Sequence, residues 1–435
     1  MIIEVKFKNW MSFRDETHLS LVATQERRLM ARVPKIKSTP TLRVSPVALF
    51  YGGNASGKSN LFSLFAFLKR MVISPISDKS KDIPVANFML DDSASKLPTE
   101  IEISFLAKDN EIYKYHVSFD RTQVLLEELA IATPTNKRVL FARANKKVKL
   151  VNTALGKDKR ANAFAEVINK NQLFLAIAGT SVPLLSKPYD WFRHQLKVIS
   201  PNATYGGFER MLSRNKDDSK HLASLLSDLD TGICKIDLEK SDISALPEEL
   251  DNGINNLSNN DIIDINMDGE RIFISKLENE VTVSKIVTFH KGADNPFTKF
   301  NMRQESDGSR RLMDILPAFI DLEKKSAASV YVIDELDRSW HYELSRRLLG
   351  IYLSQCSTQT CSQLLFSTHD LMLMDQALFR RDEMRFVERD SNGVSSIYSL
   401  ANCGIRHDKD IRKLYLQGAI GGLPSLLRYG SLGKT

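Results

Sequence analysis

The chain has 435 residues, 43% hydrophobic, 26% charged and 8% aromatic, with 20 glycines and 14 prolines. That composition excludes global disorder and fibrous repeats, and the length suits one large domain or two to three smaller ones. No run approaches the ~18–20 apolar residues of a membrane helix, and the opening MIIEVKFKNW lacks a signal peptide's apolar core, so a soluble cytoplasmic protein is expected. The net charge of +7 is unevenly spread: residues 137–160 carry nine basic side chains against one acid, and residues 228–280 carry 14 acids against four basic residues. Four scattered cysteines (Cys234, Cys356, Cys361, Cys403) show neither metal-ligand nor disulfide spacing.

In chain order, residues 2–7 alternate as a strand and Val47–Phe50 form a buried strand that runs into glycines. Residues 58–71 follow as a helix with little polar face. From 99 to 151, short alternating runs broken by turn residues predict an antiparallel β region. Helical patterns dominate 160–230, and Asp268-Gly269 marks a hairpin turn. Helix and strand then alternate: helix 308–325, strand 329–333, helix 340–355, strand 363–367, strands 384–388 and 395–400, and a basic helix near 408–416. The expected organisation is a split α/β core: an N-terminal half over 1–155 with the antiparallel β region, a mostly helical insertion over 156–280, and a C-terminal half over 281–435. No internal repeat and no sustained heptad pattern is present.

The glycines after the second strand belong to GGNASGKS (52–59), which satisfies G-x-x-x-x-G-K-[ST] between an apolar strand and a helix. There the backbone N–H groups of Gly52, Gly53, Asn54, Ala55, Ser56 and Gly57 can wrap phosphates at a helix N-terminus, with Asn60 in the first turn. Lys58 would reach the β- and γ-phosphates and Ser59 would ligate Mg2+. VYVIDELD (330–337) is an apolar strand ending in acids. Asp334 would hold Mg2+, and Glu335 is placed to polarise a water in line with the γ-phosphate. LLFSTHD (364–370) ends another apolar strand in His369, placed to contact the γ-phosphate. RQESDGSRRLMDILPAF (303–319) opens a helix with Ser306, Gly308 and Ser309, which reads either as an anion site or as a capped helix start.

Phosphate loop, long insert, Ser-Gly helix start, acidic strand end and histidine follow one order. In that order the chain resembles the ABC-type P-loop ATPases of the SMC and RecF branch, over 1–71 and 285–400. The opening Phe7-Lys8-Asn9 and Phe13 are similar to the start of those heads. The resemblance implies that ESDGSRR is the signature motif, with Ser306 and Gly308 meeting the γ-phosphate held by a second subunit. It also implies that Asp337 lies in the D-loop, and that two heads sandwich two ATPs in a homo-oligomer of at least two copies. One departure is the missing glutamine of a Q-loop, whose likely place is taken by Phe88-Met89-Leu90-Asp91. ESDGSRR also differs from the LSGGQ of transporters.

Within that branch, FHKG…ESDGSRR…VIDELDRSWH…STHD…YLQGAIGGLP resembles stand-alone ATPases of bacterial anti-phage defence, relatives of the overcoming-lysogenization nucleases, and the ATPase component of PARIS systems. The residues after His369 are too few for the Toprim nuclease of those relatives. The resemblance therefore implies a separate Toprim-type effector nuclease, with ATP and Mg2+ as the cofactors. The basic segment 137–160 would take an acidic, DNA-mimicking phage protein as trigger, or DNA itself. A DNA-binding repair ATPase of RecF/SMC type is the alternative. A scaffold without turnover is a third reading, which Glu335 disfavours.

Overall fold

The computed structural model describes residues 1–133, 136–201, 212, 216–229, 231–241, 262–267, 269–277, 280–293, 295, 297–324, 326–406 and 409–421. They form two compact units, one comprising Met1–Pro201, Lys325–Asp337 and Ser345–Thr435, the other Asn202–Lys324 and Arg338–Leu344.

The first unit contains the α/β core. Its sheet has six strands in the order Leu196–Ile199, Val330–Ile333, Gln363–Ser367, Val47–Tyr51, Met384–Arg389, Ser395–Ser399. The first five are parallel and the last is antiparallel. Val47–Tyr51, Val330–Ile333 and Gln363–Ser367 are buried throughout, which explains their uninterrupted apolar runs. Residues more than 300 apart in sequence are thus neighbours: Leu364 is registered on Val47 and Ser367 on Phe50.

A second, seven-stranded antiparallel sheet runs Lys147–Leu150, Lys137–Ala144, Val124–Ala132, Ile112–Phe119, Thr99–Leu106, Ile2–Lys8, Thr17–Ser20. Helix Lys58–Ile73 buries most of its circumference, leaving a narrow exposed stripe of Ser59, Ala66 and Arg70, because it packs against both sheets. Phe62 meets Phe50 of the core sheet at 5.5 Å between ring centroids, and Phe67 meets Phe119 of the antiparallel sheet at 5.5 Å. The narrowness of the polar face in residues 58–71 follows from that sandwiched position.

The segment expected to be a mostly helical insertion, 156–280, divides instead. Helices Lys159–Val167, Phe174–Ala178 and Pro183–Asp190 belong to the first unit. Trp191, fully buried, stacks on Phe105 at 4.1 Å. Leu196–Ile199 then enters the core sheet beside Val330–Ile333, a strand too short to show a periodicity of its own. Glu127 anchors this region: its buried carboxylate accepts the N–H groups of Phe174 (2.6 Å) and Leu175 (2.9 Å) and the hydroxyl of Tyr115 (2.8 Å).

The second unit is sheet and helix rather than helix alone. Its strands are Ile233–Ser241, Glu280–His290, Glu270–Leu277 and Ile262–Met267 in spatial order, with Thr298–Asn301 also paired to Glu280–His290. Met267 pairs with Glu270, the register expected on either side of Asp268-Gly269, of which Asp268 lies outside the described residues. Helix Lys216–Asp228 packs against helix Asp307–Glu323. Arg271 of the sheet donates to Asp264 and to Asp314 of that helix at 2.7 Å. The apolar runs of these strands are short and sit among acids, so a mostly helical reading of the stretch has no long strand pattern against it. Parts of the acidic stretch 228–280 (230, 242–261, 268, 278–279), parts of 160–230, residue 408 of the basic helix and the final 422–424 of YLQGAIGGLP lie outside the described residues.

Candidate active site

The central strand Val47–Tyr51 delivers the chain into Gly52–Gly57, and the 16-residue helix Lys58–Ile73 begins immediately after. Gly57 has φ +113, and a Cβ there would stand 2.5 Å from the Ser395 hydroxyl and 2.8 Å from that of Ser12. Only glycine fits that approach. Lys58 is 6% exposed, and its Nζ donates to the carbonyls of Gly52 (2.7 Å) and Gly53 (3.1 Å). Burial lowers its pKa, while Asp334, Glu335 and Asp337 act in the opposite direction.

The loop is held from behind by residues that carry no sequence motif. Trp10 Nε1 donates to Asn60 O (2.7 Å), and the Asn60 amide donates to Ser12 Oγ (2.8 Å). Ser395 Oγ lies 2.8 Å from Ser12 Oγ and 2.6 Å from Ser56 O. Asn9, in the left-handed region at φ 54, receives the Phe88 N–H at 3.0 Å, so the opening segment also fixes the 88–91 stretch.

Both acids leave the C-terminal end of Val330–Ile333. Asp334 is buried, and Asp334 Oδ1 accepts from Ser367 Oγ at 2.5 Å. The same Ser367 oxygen receives the Glu335 N–H at 2.7 Å, and the Ser367 carbonyl receives the Leu336 N–H at 3.1 Å. Glu335 has φ +51, a conformation that costs a non-glycine residue about 1–3 kcal/mol and concentrates at functional sites. Thr368 Oγ1 donates to Asp337 Oδ2 at 2.9 Å, and burial pushes the Asp337 carboxyl pKa up. His369 follows at the same strand tip, its pKa lowered by burial and then by the Lys58 charge.

Asn54, Ala55, Ser56, Gly57, Lys58, Ser59, Asn60, Asp334, Glu335, His369 and Arg389 line one cavity of about 500 Å³. It opens at the carboxyl ends of the parallel strands, where α/β sheets place their ligands. Gly52 and Gly53 take part through the carbonyls that hold Lys58. Ser306 and Gly308 belong to the second unit and are not among the lining residues. There Ser306 caps helix Asp307–Glu323 by accepting the Ser309 N–H at 3.0 Å, while a Cβ at Gly308 would lie 2.8 Å from Ser339 O. Of the two sequence readings of that segment, the capped helix start is the one this hydroxyl serves here.

Arg389 is a wall residue that the sequence reading missed, since one arginine at a strand end carries no pattern. Its Nε donates to Gly393 O at 3.0 Å. A Cβ at Gly393 would collide with Leu90 at 2.3 Å, so Phe88–Asp91 adjoins the turn that carries this arginine.

Chemically the cavity suits a magnesium-bound polyphosphate. Successive loop amides, a buried ammonium and a helix N-terminus favour anions. The exposed Ser59 hydroxyl and the Asp334 carboxylate, on the same cavity, are the hard oxygen donors Mg2+ takes. Among the described residues no cluster of three or more His, Cys, Asp or Glu offers another metal site, and no helix is long and apolar enough to cross a membrane.

The basic segment 137–160 is less uniform than its composition. Arg143 is buried, lies 3.8 Å from Glu127 and donates to Asn145 O. Lys137 pairs with Glu128 at 2.7 Å. Lys146, Lys147, Lys149, Lys157 and Lys159 are exposed, the first three at the hairpin that forms the sheet edge.

A family model described as AAA domain, putative AbiEii toxin, type IV TA system matches residues 47–375. Among solved structures, the chain is similar to the SMC head bound to the C-winged helix domain of ScpA, at 14% identity and TM-score 0.42, covering 92% of this chain and 97% of that one. It is also similar to the recombination mediator protein RecF of the RecFOR pathway with ATP, at 11% identity and TM-score 0.34, covering 91% and 97%. No curated protein matches the chain.

Proposed function

We propose, for a chain that belongs to this AAA-domain family, that it binds and hydrolyses Mg·ATP as an oligomer and thereby controls a separate effector nuclease in anti-phage defence. The observation that carries the ATPase reading is the meeting of Lys58, Asp334, Glu335 and His369, from three separate stretches of chain, around one cavity at the strand ends.

In this reading the 52–57 amides and Lys58 hold the β- and γ-phosphates, Lys58 exchanging its two carbonyl partners for phosphate oxygens. Ser59 and Asp334 would hold Mg2+, which would supply positive charge to offset the charge developing on the phosphates. Glu335 orients a water and accepts its proton as the water oxygen bonds the γ-phosphorus and the bond to ADP breaks. His369 donates to the γ-phosphate from the neighbouring strand tip. Ser306 and Gly308 would complete the site of a second copy, so turnover depends on dimers or larger assemblies. The effector is expected to be Toprim-type, as the resemblance to defence ATPases implies.

The exposed Lys146, Lys147 and Lys149 at the sheet edge favour a polyanionic contact, either an acidic protein trigger or, in the alternative reading, the DNA of a repair ATPase. The test is Glu335→Gln, assayed for hydrolysis and for assembly by light scattering with ATP. Loss of turnover with an ATP-locked oligomer supports the reading. Unchanged turnover removes Glu335 from it. Affinity purification from the native host with ATP separates the two partners. A stoichiometric nuclease supports defence, whereas salt-sensitive DNA without a protein partner supports repair.

A further inference from the structure

We propose that Ser367 is a positioning residue that sets both site acids from the neighbouring strand. The proposal rests on the ATPase reading and extends it to a side chain outside the cavity wall. Ser367 is fully buried and ends the strand Gln363–Ser367. Three successive residues of the acidic turn bind it: Asp334 through its carboxylate (2.5 Å), Glu335 through its N–H (2.7 Å) and Leu336 through its N–H (3.1 Å).

The hydroxyl therefore acts in both directions at once. By donating to Asp334 Oδ1 it holds the carboxylate of the acidic turn in place. By accepting the Glu335 N–H it satisfies a backbone donor in the left-handed conformation that carries the Glu335 side chain. Thr368, the next residue, holds Asp337 in the same way at 2.9 Å. Two consecutive hydroxyls on the histidine strand thus template the turn of the acidic strand. Strand pairing alone does not do this, because its last registered pair is Ile333 with Phe366.

Ser367→Ala removes one small buried hydroxyl, and Ser367→Cys keeps a weaker donor of similar size. Expected for Ser367→Ala is a kcat about 30-fold lower with KM for ATP within twofold. The Mn2+ affinity of the ATP-bound protein, read by electron paramagnetic resonance, should weaken about fivefold. Metal-free binding of a fluorescent ATP analogue should stay unchanged, the melting temperature should fall by no more than a few degrees for the two orphaned partners, and Ser367→Cys should fall between wild type and Ala. In a Glu335→Gln background, Ser367→Ala should lower kcat by less than it does alone, while its effect on Mn2+ affinity through Asp334 should persist. An Ala variant with wild-type kcat and Mn2+ affinity overturns the proposal. So does one whose kcat, nucleotide binding and melting temperature fall together. Wild-type protein that neither binds nor hydrolyses Mg·ATP overturns the ATPase reading and this proposal with it, an outcome distinct from an active enzyme indifferent to Ser367.

Discussion

The Lys58 ammonium sits 2.7 Å from the carbonyl oxygen of Gly52, so the cation expected to grip phosphate is tied to the loop that would cradle it. This contact shapes the loop around a charge and leaves that charge at the floor of the cavity. Lys58→Ala is expected to lower ATP affinity about 100-fold, the size of one or two lost charge-assisted hydrogen bonds at about 1.5–3 kcal/mol each. Equilibrium binding of a fluorescent ATP analogue measures it. Affinity within threefold of wild type would remove Lys58 from the phosphate site.

Gly57→Ala tests the loop's backbone without touching a charge. The new methyl meets two serine hydroxyls at 2.5 and 2.8 Å in a left-handed conformation. The expected cost is about 1–3 kcal/mol of stability, seen in urea denaturation, together with loss of ATP binding. A variant as stable as wild type that still binds ATP contradicts the crowding drawn here.

His369 lies where burial and the Lys58 charge both disfavour the imidazolium. Its titration midpoint in the nucleotide-free protein should fall below the ordinary 6.5, followed by NMR and assigned by the signal lost in His369→Asn. The sign for stability follows from that depression. The unfolded chain takes up this proton first as pH falls, so the His369 contribution is intact above about 6.5 and is lost as pH falls through the lower folded value. A midpoint above 6.5 is the contrary result.

Glu127 and Arg143 make a buried pair away from the cavity, with both side chains at 0% exposure. Removing the acid alone, as Glu127→Leu, leaves the guanidinium buried with carbonyl partners and no counter-charge. The expected loss is about 3–5 kcal/mol by chemical denaturation. The double variant Glu127→Leu/Arg143→Met should recover only part of it, because the Phe174 and Leu175 N–H groups and the Tyr115 hydroxyl stay orphaned. If the single variant costs no more than the double, the pair is not what holds the 159–195 helices to the sheet.

Much of the site was legible before any coordinates because its chemistry is local. A glycine-rich loop must lie between a buried strand and a helix for its amides to point one way, so GGNASGKS shows its geometry in consecutive residues. Asp334-Glu335 and His369 are likewise announced by the apolar strands they terminate. Those same runs read correctly as buried strands of an α/β core, because burial on both faces removes alternation.

Other features are set by contacts across sequence distance, which leave no periodic trace. Leu196–Ile199 is a core strand only because Val330–Ile333 lies beside it. Arg143 reads as one of nine basic surface residues until Glu127, on the paired strand, takes it inward. Arg389, Ser12, Ser395 and above all Ser367 are single polar residues with no motif. Their meaning comes from the strand order, which seats the histidine strand between the phosphate loop and the acids. The residue types that make a phosphate site possible are written along the chain, because the covalent backbone imposes their spacing. Which hydroxyl orients which acid is decided only when parallel strands pair, since hydrogen bonds depend on positions in space and not on order in sequence.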